Sequence, residues 1–580
     1  MKNGIKATLG FLVLSCVSAG AGGGGRTDDH PSSLRDAIAE YQEDRSALGR
    51  FFDREGSPAR LARLRQLVAD WRTRLAAFDF EALDLDGRID WVLLRSRLDG
   101  QGVELAREER HGTEEASLLP FAATIVDLAE ARQRVEPLDG EVAAAKVDAL
   151  AKTVAELRKG FEEKPPEIAR SIANRAARHC ADLRGALSNW YEFRAGYDPL
   201  FTWWVREPYE KARGELEQHE KLLREKIAGL KPDDGDAQPS ETIIGDPICR
   251  DALVEDLERA WIPYTPEELL EIADKEFAWC EAEMKRASNE MGLGDDWKKA
   301  LERVKQDHVA PGAQPALILE LAREAWDYVE KNELVTVPPL AKEVWRVNML
   351  SPEAHRTSPF FLGGESILVS YPTDAMTNEE KLMSMRGNNR HFCRATVHHE
   401  VIPGHHLQGF MTDRHFAYRW PFSTPFWTEG WALWWEMLLY ERGFVSTPED
   451  RVGALFWRMH RCARIQFSLG FHLGKMTPSE CIDFLVERVG HERENAEAEV
   501  RRSFNGDYGP LYQLAYMTGA LQFRSLYAEL VRSGKMTARA FHDAVLTSCN
   551  MPIELVRARL SSETLTPDFH TSWRFYVPPK

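Results

Sequence analysis

The sequence predicts a mostly α fold with one small β element. Three observations carry that expectation. Apolar residues recur at helical spacing from about Ser32 to Leu230, two Thr-Pro-x-Glu signatures mark helix starts further on, and only one glycine-flanked stretch favours strands. The 580 residues exceed what one minimal core needs, so two large lobes or one big helical body are expected. Apolar residues at 43% and charged residues at 28% fit a globular protein, and a formal charge of −17 argues against a phosphate-backbone binder, which needs a basic face.

Taken in order, the chain opens with MKNGIKATLGFLVLSCVSAGAGGGG, residues 1–25. Lys2 and Lys6 precede a short apolar run and then small residues, the order of a secretory signal. The run is too short to span a bilayer, and Ala19-Gly20-Ala21 fits a small-x-small cleavage site. Export to the periplasm or the outside is expected. VLSC, ending at Cys16, makes lipid anchoring the alternative to free secretion. No other segment is long and apolar enough to be transmembrane.

Residues 26–247 are expected to form an N-terminal helical region. In ARLARLRQLVADWRTRLAAF, Leu61, Leu64, Leu67 and Val68 share one stripe. Lys231 to Pro247 is rich in turn formers and acids and reads as a linker or surface loop. The C-terminal helical region, 248–580, is expected to carry the chemistry. Thr265, Pro266 and Glu268 make a capping box, and Thr477, Pro478 and Glu480 repeat it. SPFFLGGESILVSYP, Ser358 to Pro372, is expected to form a short hairpin or edge strand just before a histidine cluster. Apart from Cys16, the seven cysteines are scattered, without a CxxC pair, and odd in number, so at least one is unpaired within a monomer.

That cluster, RATVHHEVIPGHHLQGF, places four histidines and a glutamate between His398 and His406. A zinc-peptidase HExxH helix works because residues four apart share a face, and the glutamate can hold the attacking water. Here His399 and His405 are six apart (405 − 399), which a regular helix turns to roughly opposite faces. His398 and His405 share a face, but their backbones would stand about 10 Å apart. Pro403 and Gly404 resolve the conflict, since together they can bulge the helix by about two residues and return His405 to His399. Alternatively, the helix ends at Pro403 and His406 arrives from the next segment. The bland reading is a pair of hydrogen-bonded histidines at a helix break. Two histidines leave a metal short of a ligand, and TPFWTEGWALWWEMLLYERG supplies Glu429 among tryptophans, with Gly430 allowing close approach. Glu436, two turns on, is placed to hydrogen-bond a ligand histidine.

HHEVIPGHHLQ, then EGWALWWE, then PLYQLAYMTGAL resemble the bacterial family filed as domain of unknown function 885, in the family's order. The likeness is strongest from about Ser358 to Phe523. The third block departs from the family's usual Pro-Gly-Gln, having Leu511-Tyr512-Gln513 after Pro510. That family is similar in turn to gluzincins, metallopeptidases with two histidines and a glutamate on zinc. EGWA is similar to the Asn-Glu-Gly-Phe-Ala block of aminopeptidases, whose glutamate is the third ligand. The resemblance implies a helical protein with a deep cleft, one Zn2+ held by His399, His405 and Glu429, and Glu400 as general base. Tyr516 matches the family tyrosine and is the expected oxyanion donor, with a core role as the other reading. Arg502 or Arg524 would clamp a substrate carboxylate, and His472 is a further cleft candidate. There is no Gly-x-Ser-x-Gly elbow, GxGxxG or P-loop. The expectation is a zinc-dependent metallopeptidase-like hydrolase acting on short peptides or amides. The alternative is a non-catalytic helical binding protein with a structural or vestigial metal site. The sequence carries no signal for oligomeric state.

Overall fold

The computed structural model describes residues 34–230, 243–351, 363–374 and 376–579, so the signal segment and most of the linker reading lie outside the described residues. The fold is mostly α, as expected. Both capping boxes form: Thr265 and Glu268 start the helix Pro266–Glu290, and Thr477 and Glu480 start Pro478–Phe484. Leu61, Leu64, Leu67 and Val68 are buried along the helix Pro58–Ala76. No helix among the described residues is long and apolar enough to cross a membrane. All seven described cysteines are free, and only Cys249 is exposed.

Apolar burial divides the chain into two cores. One gathers helices between Leu118 and Leu223. The other joins the first helices, Leu34 to Leu105, to everything from Ile243 onward. The region 26–247 is therefore shared between the cores, and its earliest helices pack with the C-terminal half.

Of the two expected forms, the segment gives an edge strand and not a hairpin. Ser366–Val369 (β2) pairs in parallel with Arg346–Met349 (β1), Arg346 opposite Ser366 and Met349 opposite Val369. A parallel pair needs a long crossover, which a tight turn cannot provide. Residues 352–362, between the two strands, lie outside the described part. Arg346 and Asn348 in β1 dilute the apolar signal that would have marked it as a strand.

Two helices form the floor of the candidate site. The tryptophan helix, Pro425–Glu441, buries Trp427, Trp431, Trp434 and Trp435 completely. It crosses the tyrosine helix, Tyr512–Tyr527, at backbone contact. A Cβ on Gly430 would lie 2.6 Å from the Cα of Gly519, and one on Gly519 would lie 1.9 Å from the Phe426 carbonyl oxygen. Neither neighbour is a flexible side chain, so the helices would have to part. Gly519→Ala is expected to destabilise the protein by about 1–3 kcal/mol, the usual cost of overpacking. Thermal denaturation checks this, and an unchanged Tm would contradict it.

Candidate metal centre

The stretched histidine motif is a break rather than a bulge. The histidine helix, Arg390–Glu400, stops at Glu400, and Val401 leaves helical geometry at φ −107° and ψ −99°. The chain turns through a cis Ile402–Pro403 bond, and a second helix, His405–Thr412, starts with Gly404 as its N-cap. The turn is held by its own backbone: Gly404 N–H donates to His398 O at 3.0 Å, and Leu407 N–H to Val401 O at 3.2 Å. Trp431 Nε1–H from the tryptophan helix donates to Pro403 O at 2.9 Å. Gly404 is required, because a Cβ there would fall 1.8 Å from the His399 carbonyl oxygen.

This turn brings His405 to His399, with ring centroids 4.8 Å apart. Glu429 comes from the first turns of the tryptophan helix. One ligating atom from each of His399, His405 and Glu429 lies within 4.8 Å of the others, an arrangement that could hold a metal ion. Glu429 Oε2 stands 3.2 Å from His405 Nε2 and 3.7 Å from His399 Nε2. It is buried and makes no hydrogen bond, an orphan carboxylate oxygen facing two imidazoles.

The surrounding groups set the tautomers. His399 Nδ1–H donates to Glu436 Oε1 at 2.7 Å, as the two-turn spacing anticipated, and Arg461 Nη2 reaches the same oxygen at 3.4 Å. Burial alone would raise the Glu436 pKa, but the Arg461 charge, the hydrogen bond from His399 and the histidine charges together outweigh it and hold the carboxylate below its ordinary range. Gln408 orients the other ring. Its Nε2 donates to Thr428 O at 3.1 Å and Trp427 O at 3.4 Å, which leaves Oε1 to accept from His405 Nδ1 at 3.3 Å. Both Nε2 atoms are thereby left toward Glu429, the pattern that outer partners impose on metal-ligating histidines.

The neighbouring histidines are occupied elsewhere. His398 folds back on its own helix, Nδ1–H to Arg394 O at 2.7 Å, with its edge against Phe444. Burial pulls its pKa down to about 4. His406 Nε2–H donates to Ala341 O at 2.7 Å. Of the two readings of the second histidine, the geometry brings His405 to the cluster and not His406.

Glu400 ends the histidine helix under the approach to β2, where a Cβ on Gly363 would lie 1.9 Å from Glu400 Oε2. Burial raises its pKa, and the charges of His399 and His405 reduce the rise without cancelling it. Tyr516 is buried and stacks on His399 at 6.2 Å, with the guanidinium carbons of Arg464 and Arg461 4.2 and 4.7 Å from its ring centroid. Arg502 is half-buried and pairs with Glu499. Arg524 pairs with Glu276 at 3.2 Å, and His472 packs on Phe471 and Phe504.

Sequence reasoning missed Tyr512 and Gln408. Tyr512 O–H donates to Glu429 Oε1 at 2.5 Å. Burial, reinforced by the Glu429 charge, holds its phenol well above its ordinary pKa, so it remains a donor. The signal was available: Tyr508, Tyr512 and Tyr516 stand four apart, and the first two rings stack at 4.1 Å. Gln408, three residues after His405, is one turn along the same face.

A family model described as "Bacterial protein of unknown function (DUF885)" matches residues 47–560. No curated protein matches the chain. Among solved structures, the chain is similar to a "putative lipoprotein of unknown function" from Shewanella oneidensis, with 16% identity and a TM-score of 0.67. The likeness covers 92% of this chain and 100% of that one. A similarly named protein from Colwellia psychrerythraea gives 16% identity, a TM-score of 0.57, and coverage of 91% and 98%. At these identities the likeness shows the fold.

Proposed function

The chain belongs to the bacterial DUF885 family, and we propose that in it His399, His405 and Glu429 hold one Zn2+ in a hydrolase that cuts peptide or amide bonds of short peptides. The observation that carries this reading is the buried, orphaned Oε2 of Glu429 between two imidazoles of preset tautomer. Two histidines and a glutamate suit zinc in sites that keep a position open for water or substrate. Bound zinc would supply Lewis acidity and lower the pKa of water.

The remaining work falls to the chain's own groups. Glu400, its pKa raised by burial, would take the proton of the attacking water and pass it to the leaving nitrogen. Tyr516, which burial keeps protonated, would donate to the developing oxyanion. Tyr512 would fix the second oxygen of Glu429. The basic-apolar-small order of residues 1–25 and the lipoprotein names of similar structures support an exported protein, with Cys16 as the anchoring candidate.

Digestion of a peptide library, read by mass spectrometry, tests the reading. The purified protein should trim short peptides near an end, lose this on chelation, and regain it with zinc. Absence of cleavage with zinc bound would contradict it.

The metal-free cluster also sets a pH dependence. Burial lowers the His405 pKa, but the negative charges around the ring, Glu429 first among them, together with its polar contacts outweigh burial and lift the value to about 9. Below that pH, zinc must displace the His405 proton, so apparent affinity should rise with pH by roughly tenfold per unit up to about pH 9. Titrations against a competing chelator at about pH 6.5 and 8.5 measure this, and equal affinities would contradict it.

A further inference from the structure

Thirteen large apolar side chains are exposed among the described residues, and seven of them fall between Val135 and Trp204, so the exposure is concentrated rather than scattered. These seven gather at one end of the core between Leu118 and Leu223. The helices Gly140–Glu163 and Pro199–Leu222 start there together: a Cβ on Gly140 would lie 3.3 Å from Phe201 Cα, and further along Asp148 pairs with Lys211 at 3.6 Å. Arg194, just after the helix Arg170–Glu192, ties the turn before Pro199 to the loop that follows Ala122–Gln133, its Nη2 donating to Glu136 O at 3.4 Å.

The helix Pro199–Leu222 begins apolar on two faces. Phe201, Val205 and Tyr209 are buried in the core, four residues apart. Leu200, Trp203 and Trp204 form a second stripe on the outer side. Leu200 and Trp203 are 72% and 81% exposed, and Tyr197, ahead of them, is 87% exposed. Asp198 caps the helix and Pro199 opens it, so the outer stripe is held in place from its first residue.

The side-chain types point to the partner. Trp and Tyr join an apolar body to a polar tip, and they concentrate where the headgroups of a bilayer meet its acyl chains. A groove of about 1060 Å3 beside Trp203 and Trp204 is bordered by charges of both signs, Glu141, Asp148 and Glu207 against Arg206 and Lys211. It offers no basic face to anionic lipid, so the attraction is apolar. The length of chain before the fold suits the same partner. Described residues begin at Leu34, 18 residues (34 − 16) beyond the anchoring candidate Cys16. Extended, such a tether spans about 60 Å, against a radius of gyration of about 25 Å for a body of this size. A lipid on Cys16 therefore leaves open which face meets the bilayer, and a second contact would set it.

We propose that this end of the lobe is a bilayer-docking surface, with Tyr197, Leu200, Trp203 and Trp204 entering the headgroup–acyl boundary of a zwitterionic membrane. Nothing in it depends on the hydrolase reading.

Flotation of the full chain with phosphatidylcholine vesicles tests it, beside a variant that combines Tyr197→Ser, Leu200→Gln and Trp203→Gln. All three side chains are exposed, so the variant should fold, which circular dichroism checks. The unmutated chain should partition about tenfold or more more strongly than the variant, because burial of three large apolar side chains is lost. Salt at about 0.5 M should not weaken it. A second measurement uses vesicles brominated near the top of the acyl chains, which quench the fluorescence of indoles that enter them. Residues 1–33 contain no tryptophan, so an inserting N-terminal segment adds nothing to this quenching. Most of the quenching should disappear in a Trp203→Phe, Trp204→Phe variant. If the N-terminal segment carries the chain onto vesicles by itself, the quenching decides. Absence of vesicle binding, binding abolished by salt, or quenching that survives the paired Phe substitution would overturn the proposal. So would a dimer that the triple variant breaks, seen by sedimentation without vesicle binding, since a second copy would then cover the surface.

Discussion

His405→Ala is expected to abolish tight metal binding, while His406→Ala keeps it, although the two residues are adjacent. His405 Nε2 stands 3.2 Å from Glu429 Oε2 with its other nitrogen held by Gln408, whereas His406 spends its Nε2 on Ala341 O. Losing one of three protein ligands should weaken affinity well beyond the ~10–100-fold that loss of an outer partner causes. His406→Ala instead strands a buried carbonyl and should cost about 1–3 kcal/mol of stability. Metal titration and thermal denaturation of both variants separate the effects. Loss of metal in the His406 variant, with retention in the His405 variant, would contradict the geometry.

Glu400→Gln should retain zinc and lose turnover by about 10²–10⁴-fold, the range that a positioned acid–base group contributes. Glutamine has almost the same shape, so the fit against Gly363 survives. What disappears is the ability to take a proton. The substitution removes none of the three proposed ligands, so metal content separates a catalytic loss from collapse of the centre. Unchanged kcat with zinc bound would remove Glu400 from the mechanism and favour a metal site without catalysis.

Much of the fold class was legible because helices announce themselves locally. The stripe Leu61–Val68 and the capping boxes at Thr265 and Thr477 depend on residues within a turn or two. The β1–β2 pair was not legible, because its register joins residues twenty apart (366 − 346) and β1 is too polar to stand out. The three-residue cluster was readable because the odd spacing of His399 and His405 demanded a backbone irregularity, and Pro403-Gly404 supplied one. The form of that irregularity was not readable: a bulge and a break place His405 similarly, and only the backbone angles at Val401 and Gly404 distinguish them. Tyr512 escaped notice because it sits where the chain departs from the family's usual block, and Gln408 because its role depends on carbonyls twenty residues away.

Metal content of the purified full chain, by mass spectrometry after dialysis against dilute zinc and then metal-free buffer, tests the central claim most directly. One zinc per chain is expected, lost in His405→Ala. A wild-type chain that retains no stoichiometric metal would contradict it.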